Sequence, residues 1–341
     1  MLKIVSIQSF INLPESALLL DVRSEGEFEQ GHIPGAISFP ILNNEERKLV
    51  GTCYKKKGHN EAVLLGYELV GPKFTSYLAE AYKHFAGQVI YIHCWRGGLR
   101  SRIMANLLSS AGFEVNLIEG GYKTYRTVVL DFLNQAFTFH VLGGLTGCGK
   151  TEILQTLGDS GAQIIDIEKL ANHKGSAFGA IGLPEQPTQE QFENNIFKHC
   201  VHFDFNKPIW VEDESRLIGR LQVPTGIYAG IRESFVYFLD YTFEERLAHI
   251  VSEYGVFDKQ VLMETTAKLK KRMGDLINRQ AIEALEIEDI PTWAALVLQH
   301  YDKQYYFGFG KREPASSQKI NLHGSELISY LLSIKKAPVN V

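Results

Sequence analysis

The sequence predicts an α/β protein of two domains, each built on a parallel sheet. Three observations predict it. Short apolar runs rich in β-branched residues alternate with amphipathic helical stretches along the chain, the pattern of β-α-β units. A loop reading His93-Cys94-Trp95-Arg96-Gly97-Gly98-Leu99-Arg100-Ser101 stands between one such run and the helical stretch that follows. A second loop, Gly144-Leu145-Thr146-Gly147-Cys148-Gly149-Lys150-Thr151, occupies the same strand-to-helix position further on. At 341 residues the chain is long enough for two domains of ordinary size.

Composition narrows the class. Hydrophobic content of 45% and charged content of 22% are those of a water-soluble globular protein. A formal net charge of -4 excludes a globally basic nucleic-acid binder, so any such contact uses local patches. Cys53, Cys94, Cys148 and Cys200 form no C-x-x-C pair, so neither a zinc site nor a disulfide framework is expected. Two of them lie in glycine-rich loops, which suits a reducing compartment. No signal peptide opens the sequence, and no apolar run reaches the ~18 residues needed to span a bilayer. A cytoplasmic protein without membrane contact is the expectation.

The first domain is placed at residues 1–135. Residues 17–22 form a strand running into Asp21-Val22-Arg23-Ser24, with Ser24 as a helix cap. Residues 25–29 are a short polar helix or turn. Gly31-His32-Ile33-Pro34-Gly35-Ala36-Ile37 is a punctuated connection into another strand. Residues 43–83 are too long for a simple connection and include a helical stretch with Gly66 inside it. Lys55, Lys56 and Lys57 in that segment are either a solvated face or a contact to a phosphate backbone. Residues 89–92 read as a buried strand, which puts Cys94 at a carboxyl end, where open α/β sheets place ligands. Residues 101–110 read as a helix with Ser101 in its capping first turn. Backbone N–H groups between the two elements form an anion cradle, and the helix dipole adds positive potential. A thiolate there, near Arg96 and Arg100, has a lowered pKa and is a good nucleophile. The competing reading is a buried structural cysteine. A strand at 115–118, then Glu119-Gly120-Gly121-Tyr122 and an amphipathic helix at 123–135, complete the domain.

Asp21-Val22-Arg23, Gly31-His32-Ile33-Pro34-Gly35-Ala36 and the Cys94 loop together resemble a rhodanese domain over roughly residues 1–130. That resemblance implies sulfur carried as a persulfide on Cys94. The spacing departs from it: five residues separate Cys94 from Arg100, where sulfurtransferases usually have four. Five, with His93 before the cysteine, is the spacing of cysteine-dependent phosphatases. The wider cradle suits a larger anion. No Ser or Thr precedes Arg100 to assist a leaving group, and no acidic residue stands close by in sequence; both weigh against a phosphatase.

The second domain is placed at residues 136–341. A strand at 137–142, the glycine-rich loop and a helix at 152–157 make a complete G-x-x-x-x-G-K-[ST] motif in the context it requires. Backbone N–H groups around Gly144, Gly147 and Gly149 cradle a diphosphate, Lys150 reaches its outer oxygens, and the Thr151 hydroxyl is a ligand for Mg²⁺. Residues 163–167 are a strand with Asp166 at its end. Residues 171–179 are a polar, glycine-rich loop. Residues 209–214 are a core strand ending in Glu212-Asp213-Glu214, where an acid that organises a metal or a water belongs. Asp213 is the first choice and Glu212 the second; the alternative is a pair of helix-start carboxylates. A strand at 236–240 and a helix at 243–254 follow. Residues 268–274 are a basic stretch on a helix: a solvated face, a phosphate lid or an RNA contact. Residues 293–309 are unusually aromatic, from core packing rather than base stacking.

With Ala171-Asn172-His173-Lys174-Gly175-Ser176 and Glu212-Asp213-Glu214-Ser215-Arg216 added, the pairing resembles the tRNA 2-selenouridine synthase family over essentially the whole chain. The resemblance implies action on tRNA with 2-thiouridine at the wobble position. A geranyl group passes from geranyl diphosphate to the sulfur, and selenium from selenophosphate then replaces the S-geranyl group. Cys94 is implied to hold selenium as a selenosulfide, with Arg96 and Arg100 in the cradle. The glycine-rich loop is implied to bind the donor's diphosphate, and an enzyme supplying selenophosphate is a compatible partner. Composition and spacing by themselves support only a thiolate carrier and a diphosphate site. Two other readings stay open: a cysteine-dependent phosphatase or sulfurtransferase fused to a nucleotide-dependent kinase-like domain, and a nucleotide-switched binding module with Cys94 inert.

Overall fold

The computed structural model describes residues 2–14, 16–309 and 317–335, with the side chains of 304 and 306–309 outside that description. The chain divides into two compact units. One is Met1–Phe132 with Glu193–Lys198; the other is Leu133–Phe192 with His199–Val341.

In the first unit the strands are β1 (Lys3–Val5), β2 (Leu18–Asp21), β3 (Ile37–Ser38), β4 (Ile90–His93) and β5 (Val115–Ile118). They form one sheet in the order β1-β5-β4-β2-β3, and every pair is parallel. The apolar runs that predicted β2 and β4 pack as its core with Met104 and Leu108 of the helix Leu99–Ser110. Ser24 caps the helix Glu25–Gln30 through a capping box with Glu27, as its sequence implied. The long segment after β3 folds as three helices, Asn44–Lys57, His59–Val70 and Phe74–His84.

The six residues 193–198 were expected with the second domain and belong to the first unit. Asn194 donates to the His32 carbonyl at 2.9 Å and to the Tyr122 hydroxyl at 2.8 Å. Arg126 donates to Asn194 at 2.7 Å and pairs with Glu193. Phe197 packs edge-on against Tyr125 and Phe132. Sequence continuity carries no sign of such an exchange.

The second unit holds β6 (His140–Gly144), β7 (Gln163–Ile165), β8 (Ile209–Glu212), the antiparallel pair β9 (Leu217–Ile218) and β10 (Leu221–Gln222), β11 (Val236–Leu239) and β12 (Ser317–Ile320). Its main sheet runs β12-β11-β6-β8-β7, again all parallel. β6 begins three residues later than expected, because residues 137–139 precede the ladder. The helix after its loop starts at Lys150 and runs to Asp159. Residues 268–274 are not one helix: Leu269 turns its side chain into the core between Lys259–Lys268 and Lys270–Met273. Of the aromatic tail, Trp293 is a core residue donating to Thr266 at 3.0 Å, while Tyr306, Phe307 and Phe309 have side chains outside the described ones. Among the described residues no helix is long and apolar enough to cross a membrane.

Candidate active sites

The first site follows β4, a central strand. The helix begins at Leu99 rather than Ser101, with Gly98 as its N-cap. Ser101 is therefore the third residue of the first turn and not the cap. Its hydroxyl sits 3.2 Å from the Cys94 sulfur and 3.1 Å from the Gly98 carbonyl. Cys94 is buried, with 3% of its surface exposed.

The loop is clamped from behind by the start of the helix Gly121–Leu133. Tyr122 N–H donates to the Cys94 carbonyl at 2.9 Å and Lys123 N–H to the Trp95 carbonyl at 2.8 Å. That approach requires glycine at 121. Its φ is +60°, and a Cβ there would stand 2.3 Å from the Cys94 carbonyl oxygen and 2.6 Å from Gly97 N.

The two loop arginines part company. Arg100 donates to both carboxylate oxygens of Glu27, at 2.6 and 3.2 Å. Burial pushes Glu27 up, but Arg100 and the Ser24 backbone bond outweigh it and hold the carboxyl below its ordinary value. Arg96 is exposed and makes no ion pair among the described residues. It is the cation of the loop left for an anion, and Glu27 is the nearby acid that sequence adjacency did not show.

The residues that carried the rhodanese resemblance form the floor. Arg23 donates to both oxygens of Asp21, at 2.9 and 2.6 Å, and to the Gly31 carbonyl at 2.7 Å, and it stacks 3.8 Å from the Tyr122 ring. Burial acts to raise Asp21, but His93 and Arg23 reverse it and hold the carboxyl below its ordinary value. Burial pushes His93 below its ordinary value, against the opposing pull of Asp21. These groups are sealed: their task is to hold β2, β4 and the loop in place.

The second site follows β6. Lys150 donates to the carbonyls of Gly144 at 2.9 Å and Leu145 at 3.4 Å, so the ammonium lies across its own loop. Burial acts to lower Lys150, but the carboxylates of Glu212 and Glu168 keep it above its ordinary value. Cys148 points into the core, donating to the Leu145 carbonyl at 2.8 Å, and burial pushes its thiol up.

The acids are arranged differently from the expectation. Asp213 lines the cavity, but its carboxylate accepts from Arg232 at 2.9 Å and from the Tyr305 hydroxyl at 3.1 Å. The carboxylates that converge are Glu168, Glu212 and Glu214, each offering an oxygen within 4.8 Å of the others. Glu168 accepts from the Thr151 hydroxyl at 3.2 Å. Register explains Glu212: it pairs with Leu142 of β6, two residues before the loop. Burial first, and then the neighbouring carboxylates, push all three above their ordinary values, with Lys150 offsetting part. One Glu212 oxygen is buried with no hydrogen-bond partner among the described residues. Three carboxylates and a hydroxyl form an all-oxygen donor set, which fits a hard divalent cation such as Mg²⁺.

Glu168 sits in the first turn of the helix Ile167–Ala171, capped by Asp166, just past where the sequence pattern placed a strand end, and nothing in its position in sequence pointed to this role. Arg246 was also illegible. It donates to the Thr146 carbonyl of the loop at 3.0 Å and makes two 2.8 Å bonds to Asp302. Gly147 lets it come close: a Cβ there would stand 2.8 Å from the Arg246 carbonyl oxygen. The cavity at this site has a volume of about 1210 Å³, and Lys174, Gly175 and Ser176 of the polar loop line it.

Fold and sites together define a protein with a rhodanese-like domain bearing a loop cysteine, followed by a P-loop α/β domain. The rhodanese-like domain family matches residues 6–127, and the tRNA 2-selenouridine synthase AAA domain family matches residues 137–273. A tRNA 2-selenouridine synthase of Marinobacter nauticus is 40% identical over 331 residues, covering 86% of this chain and 89% of its own length. Those of Shewanella sediminis and Pseudomonas entomophila are 32% and 38% identical, each over at least 85% of this chain and 86% of their own lengths. The chain belongs to the tRNA 2-selenouridine synthase family.

Proposed function

We propose that the protein replaces sulfur by selenium in wobble-position 2-thiouridine of tRNA, in two steps at its two sites. In the first, the thiouridine sulfur displaces diphosphate from geranyl diphosphate: a C–S bond forms and the C–O bond to diphosphate breaks. The P-loop N–H groups and Lys150 hold the departing diphosphate. Thr151, Glu168, Glu212 and Glu214 are the residues to hold Mg²⁺, which supplies further charge neutralisation for that leaving group. In the second step the Cys94 thiolate attacks C2 of the base: a C–S bond to Cys94 forms, the C–S bond to the geranyl sulfur breaks, and geranylthiol leaves, a better leaving group than the unalkylated sulfur. The selenium of selenophosphate, whose anion Arg96 and the N–H groups of the Cys94 loop receive, then displaces Cys94: the C–Se bond forms, the thiolate is regenerated, and water takes the phosphoryl group as phosphate.

The observation that carries this reading is the coexistence in one chain of an anion-binding cysteine loop with an uncommitted arginine and a P-loop whose own cysteine faces the core. Only one of the two loops has a nucleophile, and only the other has the lysine of a diphosphate site. Nucleoside mass spectrometry of tRNA from cells carrying Cys94→Ser or Lys150→Ala tests it. Cys94→Ser accumulates geranylated thiouridine; Lys150→Ala stalls earlier, with unmodified thiouridine. The same species in both strains refutes the division of labour between the sites.

A further inference from the structure

Alkylating the sulfur of 2-thiouridine releases a proton. The base enters that step as a thione with a hydrogen on N3. It leaves with a C2–S single bond and a C2=N3 double bond, so N3 gives up its hydrogen. The residues that hold the diphosphate and the cation do not take it, and a positioned base would speed the step. The cavity beside the P-loop offers several bases, most of them committed. Glu168, Glu212 and Glu214 converge on the cation position. Asp213 accepts from Arg232 and from Tyr305. Glu152 and Glu233 line the cavity as exposed carboxylates, which are weak bases for an N–H proton at neutral pH.

His249 is placed differently. It rides on the helix Phe243–Tyr254, whose Arg246 donates to the Thr146 carbonyl of the P-loop. Residues three apart share a helix face, so His249 also comes out against that loop. A Cβ built on Gly149 would stand 3.6 Å from the His249 Cε1 and 4.0 Å from its Nδ1. The Nε2 lies 3.9 Å from an oxygen of Glu253, which accepts from Lys174 of the polar loop at 2.5 Å. That carboxylate favours the ring hydrogen on Nε2, which leaves the Nδ1 lone pair on the P-loop side. The His249 side chain is 29% exposed and lines the cavity, so substrate and water both reach it. Histidine is also the side chain that exchanges a proton most readily near neutral pH.

We propose that His249 is the general base of the geranylation step, taking the N3 proton of 2-thiouridine at its Nδ1. The inference rests on the geranylation step of the proposed function and deepens it. As the sulfur attacks the geranyl carbon, the C–S bond forms and the C–O bond to diphosphate breaks, its electrons leaving with the diphosphate. The pair of the N3–H bond becomes the second bond between N3 and C2, and the π pair of the C2–S bond returns to sulfur. The imidazolium then releases its proton to water in the cavity. The charged groups around the ring are Glu253 on its own helix, Lys174 on the polar loop and Glu152 on the helix after the P-loop. Arg246, one turn earlier, is held by Asp302 and Thr146, and Lys150 lies across its own loop.

The test uses the full chain, Mg²⁺, saturating geranyl diphosphate and an anticodon stem-loop RNA carrying 2-thiouridine. Single-turnover S-geranylation is followed against pH for wild type, His249→Ala and His249→Gln, beside a titration of each with geranyl diphosphate. At about pH 7 both variants should react about a hundredfold or more slowly, with geranyl diphosphate affinity kept within about twofold. The deficit should shrink at alkaline pH, where thiouridine loses its N3 proton unaided. Added imidazole should speed His249→Ala and leave His249→Gln slow, because only the first leaves room for it. Should His249→Ala fail to fold, the rate and pH profile of His249→Gln decide. A loss of geranyl diphosphate affinity equal to the loss of rate, flat in pH and unrelieved by imidazole, makes His249 a diphosphate contact and overturns the base assignment. Wild-type rates in both variants overturn it too, while the two-step reading stands. If wild type itself forms no S-geranyl product, the geranyl reading falls, and this inference with it.

Discussion

Replacing Asp302 by alanine removes both acceptors of Arg246, whose side chain is 4% exposed, at a point 3.0 Å from the P-loop carbonyl of Thr146. The Arg246 Nε already lacks a hydrogen-bond partner among the described residues, so only the Thr146 contact remains to satisfy the guanidinium. Removing one partner of a fully buried pair costs about 3–5 kcal/mol. Asp302 keeps 18% exposure, so water enters where the carboxylate stood and the loss falls to ~2–3 kcal/mol. At about 2–4 °C per kcal/mol for a unit of this size, its melting transition drops by roughly 5–10 °C. Asp302→Asn keeps one acceptor without the charge and should lose about half as much. Scanning calorimetry of the full chain reads the transition, and titration with geranyl diphosphate reads the loop. Both should weaken, because Arg246 positions Thr146. A second-unit transition within about 1 °C of wild type refutes the claim that this pair holds the loop.

Gly121→Ala places a Cβ against the Cys94 carbonyl at a left-handed φ, adding ~1–3 kcal/mol of strain to the overlap. Selenation should fall by about tenfold or more while geranyl diphosphate affinity holds; unchanged selenation on nucleoside analysis counts against the clamp. The raised carboxyls of Glu168, Glu212 and Glu214 mean that the folded state binds more protons than the unfolded one above their ordinary value of 4.5. Stability is therefore lost as pH rises from there through the raised values, about 8 for Glu212. Mg²⁺ replaces those protons, so it should raise the melting temperature more at about pH 8 than at about pH 6; equal shifts place the cation elsewhere. Affinity for tRNA should fall steeply with salt despite the net charge of -4, because any contact must use local lysines and arginines, with Lys55–Lys57 and Lys268–Arg272 as the candidates. A binding constant flat between low and moderate salt removes both patches as contacts.

Much of the fold was legible because it rests on local pattern. Alternating apolar runs and helical stretches dictated parallel sheets, and strand-loop-helix order put Cys94 and Lys150 at carboxyl ends of strands. Ser24 was legible as a helix cap; that Glu27 completes a capping box with it was seen in the structure. What depended on residues far apart in sequence was not visible. Glu27 meets Arg100 across 73 positions, and Asp302 meets Arg246 across 56. Glu168 joins Glu212 and Glu214 only because a helix start and a strand end converge beside Thr151. Asn194 is drawn into the first unit by bonds to His32 and Tyr122, against the order of the chain. The sequence determined which side chains can do chemistry and on which elements they ride, because hydrophobic period and loop motif are local properties. Which of them are uncommitted, as Arg96 is and Arg100 is not, was decided by tertiary structure, because a charge is claimed by its nearest opposite in space.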